Sequence, residues 1–134
     1  MKIILIASLG LFAIACCLPA LEFSKSQNPK DVLSGINVLA VGWSGIFAGV
    51  IAWYANPVWL FGLIMAYVGK PKWAAIAGLA ALLIGCTTFS LFGQELPADE
   101  GGVNHMTLTR TLAGCYVWLV SLATLPLVLF FRGK

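Results

Sequence analysis

Charge is absent from long stretches of this chain and concentrated in the short segments between them. Ile3 to Leu21, Val32 to Val68, Trp73 to Phe92 and Thr111 to Phe131 contain no acidic or basic residue. A helix needs ~20 apolar residues to cross a hydrocarbon layer of ~30 Å. The pattern therefore predicts an all-α fold, a polytopic transmembrane helical bundle of four spans, forming a single domain over 1–134. The spans are expected at about 3–21, 48–68, 73–92 and 108–131.

The run from 32 to 68 is the ambiguous one, too long for one span and short for two. If 34–54 and 55–68 were separate spans, Lys70, Lys72, Arg132 and Lys134 would lie outside and the acidic loop inside. Short cytoplasmic loops carry an excess of Lys and Arg, so that arrangement is disfavoured. The preferred reading has one span at 48–68, preceded by a short helix at about 34–46 that is interfacial or re-entrant. Lys2, Lys70, Lys72, Arg132 and Lys134 then share the cytoplasmic side with both termini. Glu22, Asp31, Glu95, Asp99 and Glu100 face outward with Lys25, Lys30 and Arg110. The expected localisation is the bacterial inner (cytoplasmic) membrane.

Composition agrees with a bilayer environment. The chain of 134 residues is 60% hydrophobic and 10% charged, against ~25% charged in soluble domains. Its net charge of +3 is spread over loop junctions and forms no basic patch, so nucleic acid is not expected as a partner. Ala13-Ile14-Ala15-Cys16 resembles a lipidation site after a leader. The apolar stretch continues to Leu21, which favours an uncleaved first span.

Small residues mark candidate packing faces. Gly42, Gly45 and Gly49 form one stripe, and Ala77, Ala81 and Gly85 another; close backbone approach through such residues drives helix association in lipid. Asn56 and Pro57 form a candidate helix break, because Pro57 lacks a donor and clashes with the preceding turn. Such breaks are either kinks or, in transporters, substrate sites. Glu95, Asp99, Glu100, Asn104 and His105 make the one dense polar cluster, in the loop between the third and fourth spans. It lacks calcium-loop spacing and reads as a hydrated loop, with a cation or a basic partner as the sharper alternatives.

Conventional chemistry is poorly represented. No span has a central charge of the kind an ion-coupled transporter uses. A single histidine excludes bis-histidine haem ligation within one chain. Cys16, Cys17, Cys86 and Cys115 all fall near the outward ends of the spans without a CxxC pair, and packing is their expected role. No catalytic residue, cofactor or metal is assigned.

Gly42-Trp43-Ser44-Gly45, Ala52-Trp53-Tyr54-Ala55-Asn56-Pro57, Asp99-Glu100-Gly101-Gly102 and Gly114-Cys115-Tyr116-Val117-Trp118-Leu119 together resemble a group of short, uncharacterised bacterial inner-membrane proteins. The resemblance covers most of the chain. It implies a compact bundle of about four helices and transfers no functional residue. The expected function is that of a small non-enzymatic accessory or interaction subunit, with the lipid bilayer and a larger membrane protein or a second copy as partners. The alternatives are a small oligomeric transporter or channel, and a membrane immunity protein against a pore-forming toxin.

Overall fold

The computed structural model describes residues 2–99 and 101–130. Helix α1 (Lys2–Cys17) leads directly into strand β1 (Pro19–Lys25). Pro19 ends the helix, since a proline disfavours helical geometry at the residue before it. β1 turns back into β2 (Asp31–Ser34), and α2 (Gly35–Val41) follows at once. Two 3₁₀ segments, Gly42–Ala48 and Ala52–Tyr54, carry the chain to α3 (Ala55–Tyr67). A turn through Gly69, whose φ of 79° suits a residue without Cβ, reverses it into α4 (Pro71–Cys86), extended as 3₁₀ over Thr87–Leu91. A second hairpin, β3 (Glu95–Pro97) and β4 (His105–Thr111), precedes α5 (Ala113–Thr124) and its 3₁₀ continuation Leu125–Leu129.

The four strands form one antiparallel sheet in the order β2-β1-β4-β3. Its central pair joins the two hairpins, with Leu21 opposite Thr111, Glu22 opposite Arg110 and Phe23 opposite Leu108. Segments more than 80 residues apart in the chain thus close into one layer, a span reflected in the Thr109 hydroxyl donating to the Glu22 carbonyl at 2.9 Å. Lys25 and Asp31 pair across the first hairpin.

This sheet corrects the expectation of an all-α, four-span transmembrane helical bundle. Among the described residues only Pro71–Leu91, 21 residues long, is long and apolar enough to cross a membrane. The helices α1 and α3 have 16 and 13 residues, and α5 with its 3₁₀ continuation, Ala113–Leu129, also stays within 17, short of the ~20 a crossing requires. The difference arises where apolar runs were read as continuous helix. Residues 19–21 and 108–111 are strand, and residues 42–54 are 3₁₀ turns and loop. The strand character has a local cause. Leu21 and Phe23 are buried on either side of Glu22, Leu96 is buried between exposed Glu95 and Pro97, and Leu108 lies among Thr107, Thr109 and Thr111. That is the period of a half-buried strand, and in β4 the positions flanking Leu108 are β-branched threonines.

The core has three storeys. Ile4, Ala66, Ala74 and Val128 pack at the end remote from the sheet. Ala55, Trp59, Leu63, Ala81, Leu122 and Leu125 fill the middle. Ala20, Leu21, Phe23, Leu91, Leu96, Leu108 and Cys115 pack between the sheet and the helix ends. Contacts in the middle are tight: a Cβ on Gly78 would stand 2.6 Å from the Leu125 Cβ and 2.7 Å from the Pro126 Cδ.

One polar network crosses the middle storey. The Trp59 indole N–H donates to the Ser8 hydroxyl at 3.0 Å, and that hydroxyl donates to the Ser121 carbonyl at 2.9 Å. Ser8 and Ser121 are fully buried. Phe12 stacks on Trp59 with ring centroids 4.3 Å apart, so α1, α3 and α5 meet at one point.

Candidate binding cleft beneath the sheet

Residues 35–54 form an arch anchored at both ends, at Gly35 against the end of α1, where its N–H donates to the Leu18 carbonyl at 2.9 Å, and at the buried Ala52. Neither α2 nor the 3₁₀ segment after it contains a buried residue, although the arch carries no charge. The arch is held by a few specific contacts. The Trp53 indole N–H donates to the Leu39 carbonyl at 2.9 Å. Gly42 lets that indole lie against the backbone, since a Cβ there would meet Trp53 Cδ1 at 2.6 Å. The Val50 N–H donates to the Gly45 carbonyl at 2.8 Å, and Gly49 closes the turn at φ 75°.

Between the arch, the underside of the sheet and the adjoining ends of α1, α3 and α5 lies a cleft of about 1090 Å³. Leu21, Phe23, Leu96 and Met106 line it from the sheet, and Phe12, Cys115 and Trp118 from the helices. Small-molecule sites commonly measure ~300–1,000 Å³ and are mostly apolar with a few placed polar groups. This cleft is of that kind. Its polar lining is largely satisfied within the chain: Trp118 donates its indole N–H to the Asn56 side-chain oxygen at 2.8 Å, and the Trp53 N–H is engaged as described.

The residues singled out from sequence are distributed over three places. Gly42 and Gly45 lie in the arch and line the cleft, while Gly49 is the left-handed turn beyond them. Gly42 lies against Trp53 and Gly45 against Val50 of the same arch, while a Cβ on Gly49 would meet nothing. Ala77, Ala81 and Gly85 are buried along α4, with Gly85 against Leu122, Leu119 and Trp118. Asn56 and Pro57 occupy the first turn of α3. There a missing N–H interrupts nothing, because first-turn donors lack helical acceptors.

The polar cluster is spread along the second hairpin. Glu95 is in β3, His105 opens β4 opposite Pro97, and Glu100 lies outside the described residues. Asp99 organises the turn: its carboxylate accepts from the Asn104 side-chain amide at 2.6 Å and from the N–H groups of Val103 and Asn104 at 3.0 and 3.2 Å. The Asn104 amide foremost, with those backbone donors, holds the Asp99 carboxyl below its ordinary value. Among the described residues no three His, Cys, Asp or Glu side chains converge as a metal site. The four cysteines are free; Cys16 and Cys115 line the cleft.

Sequence reading missed the cleft and its most informative pair, Asn56 with Trp118, which are 62 positions apart. It also missed Ser8. The alternation through Thr107-Leu108-Thr109-Arg110-Thr111 was the available signal for the cleft roof. Comparison with known protein families, with curated proteins and with solved structures finds no match.

Proposed function

We propose that this is a membrane-embedded accessory protein that acts by binding, through the cleft and sheet at one end, and not by chemistry. The supporting observation is the surface of the helices. Ile6, Leu9, Leu60, Phe61, Ile76, Leu79, Leu83 and Val120 are all more than half exposed or nearly so, and they lie opposite the buried faces of the same helices. A helix that is apolar all round belongs in a protein interior or in lipid, and soluble monomers rarely expose apolar patches of this extent. In this reading the exposed apolar side chains lie against lipid, and α4 with its 3₁₀ continuation, Pro71–Leu91, is the one described segment that crosses the bilayer.

Charge supports an orientation. Lys2, Lys70 and Lys72 adjoin the storey formed by Ile4, Ala66 and Ala74 with no acid beside them, whereas Glu22, Asp31, Glu95 and Asp99 belong to the sheet end together with Lys25, Lys30 and Arg110. The cationic end is cytoplasmic by the positive-inside bias, and the sheet faces outward from the inner membrane. The binding assignment draws on the cleft, where Trp118 is paired with Asn56 and Trp53 with the Leu39 carbonyl, leaving a mostly apolar space.

The test is residence and orientation in membranes. The protein should resist alkaline carbonate extraction. In a cysteine-free background, Gln27→Cys should react with an impermeant thiol reagent added outside, and Lys70→Cys should not. Release by carbonate, or labelling of position 70 alone, would sink the reading.

A further inference from the structure

We infer that the cleft beneath the sheet holds one acyl chain of a membrane phospholipid, lying between the arch and the sheet's underside. This rests on the membrane reading above and gives the class of ligand for that site. Continuity of surface is the first support. Trp43 and Phe47 line the cleft and are also among the exposed apolar side chains, Phe47 at 86%. The arch thus has the cleft on one side and the lipid-facing surface on the other, and the two meet at these aromatic side chains. A chain entering from lipid crosses no polar barrier there.

Chemistry of the lining is the second support. The indole N–H groups of Trp53 and Trp118 and the Asn56 oxygen are already hydrogen-bonded within the chain. A polar ligand reaching them would have to displace those bonds, while an alkyl chain uses the space without loss. Charge decides the head. Asp99 is the one charged side chain among the described lining residues, and it lies on the hairpin turn at the outer rim. An anionic head is repelled there, and an ammonium head is attracted. Phosphatidylethanolamine fits better than phosphatidylglycerol.

The experiment uses the full chain in nanodiscs of phosphatidylethanolamine and phosphatidylglycerol, with a trace of phosphatidylethanolamine bearing a diazirine in its acyl chain. After irradiation, adducts are mapped by peptide mass spectrometry. Expected are adducts on Leu33, Val38 and Met106 in the cleft, and on Phe61 and Leu83 on the outer helical surface. Val38→Trp and Ala48→Phe fill the cleft from two positions, and each should reduce the cleft adducts several-fold while leaving those at Phe61 and Leu83 unchanged. The same diazirine on phosphatidylglycerol should mark the cleft less. Outer adducts without cleft adducts would overturn the inference and leave the membrane reading standing. Cleft adducts undiminished in both variants, or equal with both heads, would overturn the acyl site or its head preference. Absence of adducts at Phe61 and Leu83 as well would bring down the membrane reading itself. Each variant is judged only if it elutes as the wild type does, and the wild-type map decides independently of both.

Discussion

The two ends of the molecule are built from similar residues to opposite effect. Away from the sheet, Ala66, Ala74, Ala77 and Ala81 bring backbones together, and Gly62 and Gly78 receive the Leu125 side chain directly. At the sheet end, Gly42 and Gly45 shape an arch that encloses empty space, and the walls around it are Phe, Trp, Leu and Met. Small residues in the regular helices let neighbouring elements close on one another, whereas Gly42 and Gly45 let the arch close on its own Trp53 and Val50. The helical end is therefore expected to be rigid and intolerant of added atoms. The sheet end can accept them.

The sharpest way to break this comparison is to add volume at both ends. Gly78→Leu forces a side chain into the Leu125–Pro126 contact, and overpacking of this kind costs ~1–3 kcal/mol, at the upper end or beyond where the backbone is the obstacle. Denaturation in mild detergent should show that loss, while Ala48→Phe in the cleft wall should shift the midpoint little. Equal losses would mean that the cleft is as tightly packed as the helices.

Next in size is the Ser8 network. Ser8→Ala removes the hydroxyl without adding volume and leaves the buried Trp59 indole N–H without an acceptor, at a cost of about 1–3 kcal/mol. Ser8→Thr retains an oxygen and should recover much of it. The same unfolding assay measures both, and a Ser8→Ala protein as stable as the wild type would show that the network contributes nothing.

At the sheet end the parallel change is Asn56→Leu, which unpairs the Trp118 indole at the edge of the cleft. Because Trp118 is only partly buried, water can replace the lost acceptor, and a cost of about 1 kcal/mol or less is expected. Trp118 fluorescence, in a protein whose other tryptophans are Phe, should move to longer wavelength. An unmoved spectrum would place the indole in an unchanged environment and argue against the hydrogen bond.

The smallest effect concerns Asp99. Its folded-state carboxyl ionises below its ordinary value, so its contribution to the hairpin is present above the unfolded-state pKa. That contribution is lost as pH falls through the lower folded-state value. The protection factors of the Val103 and Asn104 amides, taken relative to intrinsic exchange at each pH, should fall on acidification through the carboxylate range, and Asp99→Asn should abolish that dependence. The group is exposed, so global stability should barely respond. Protection factors that stay constant with pH in the wild type would remove Asp99 from its organising role.

The sequence by itself determined the apolar runs, the charged junctions that separate them, and the helices within those runs. Helix and hydropathy are local properties: Ile3 to Cys17 or Trp73 to Cys86 reads as apolar helix whatever surrounds it. The turn at Gly69 and Pro71 is local for the same reason. Only the tertiary structure decided where those runs stop being helix. Leu108 to Thr111 became strand because Leu21 to Phe23 lies beside it, and a strand's hydrogen bonds are completed by a partner that its own residues do not specify. The glycines at 42 and 45 read as a helix face by spacing, yet their surroundings depend on Trp53 and Val50 and on the 3₁₀ path between them. The cleft follows from both. It exists because two distant hairpins pair into a roof and a charge-free segment arches beside it, and no local pattern encodes the space that is left.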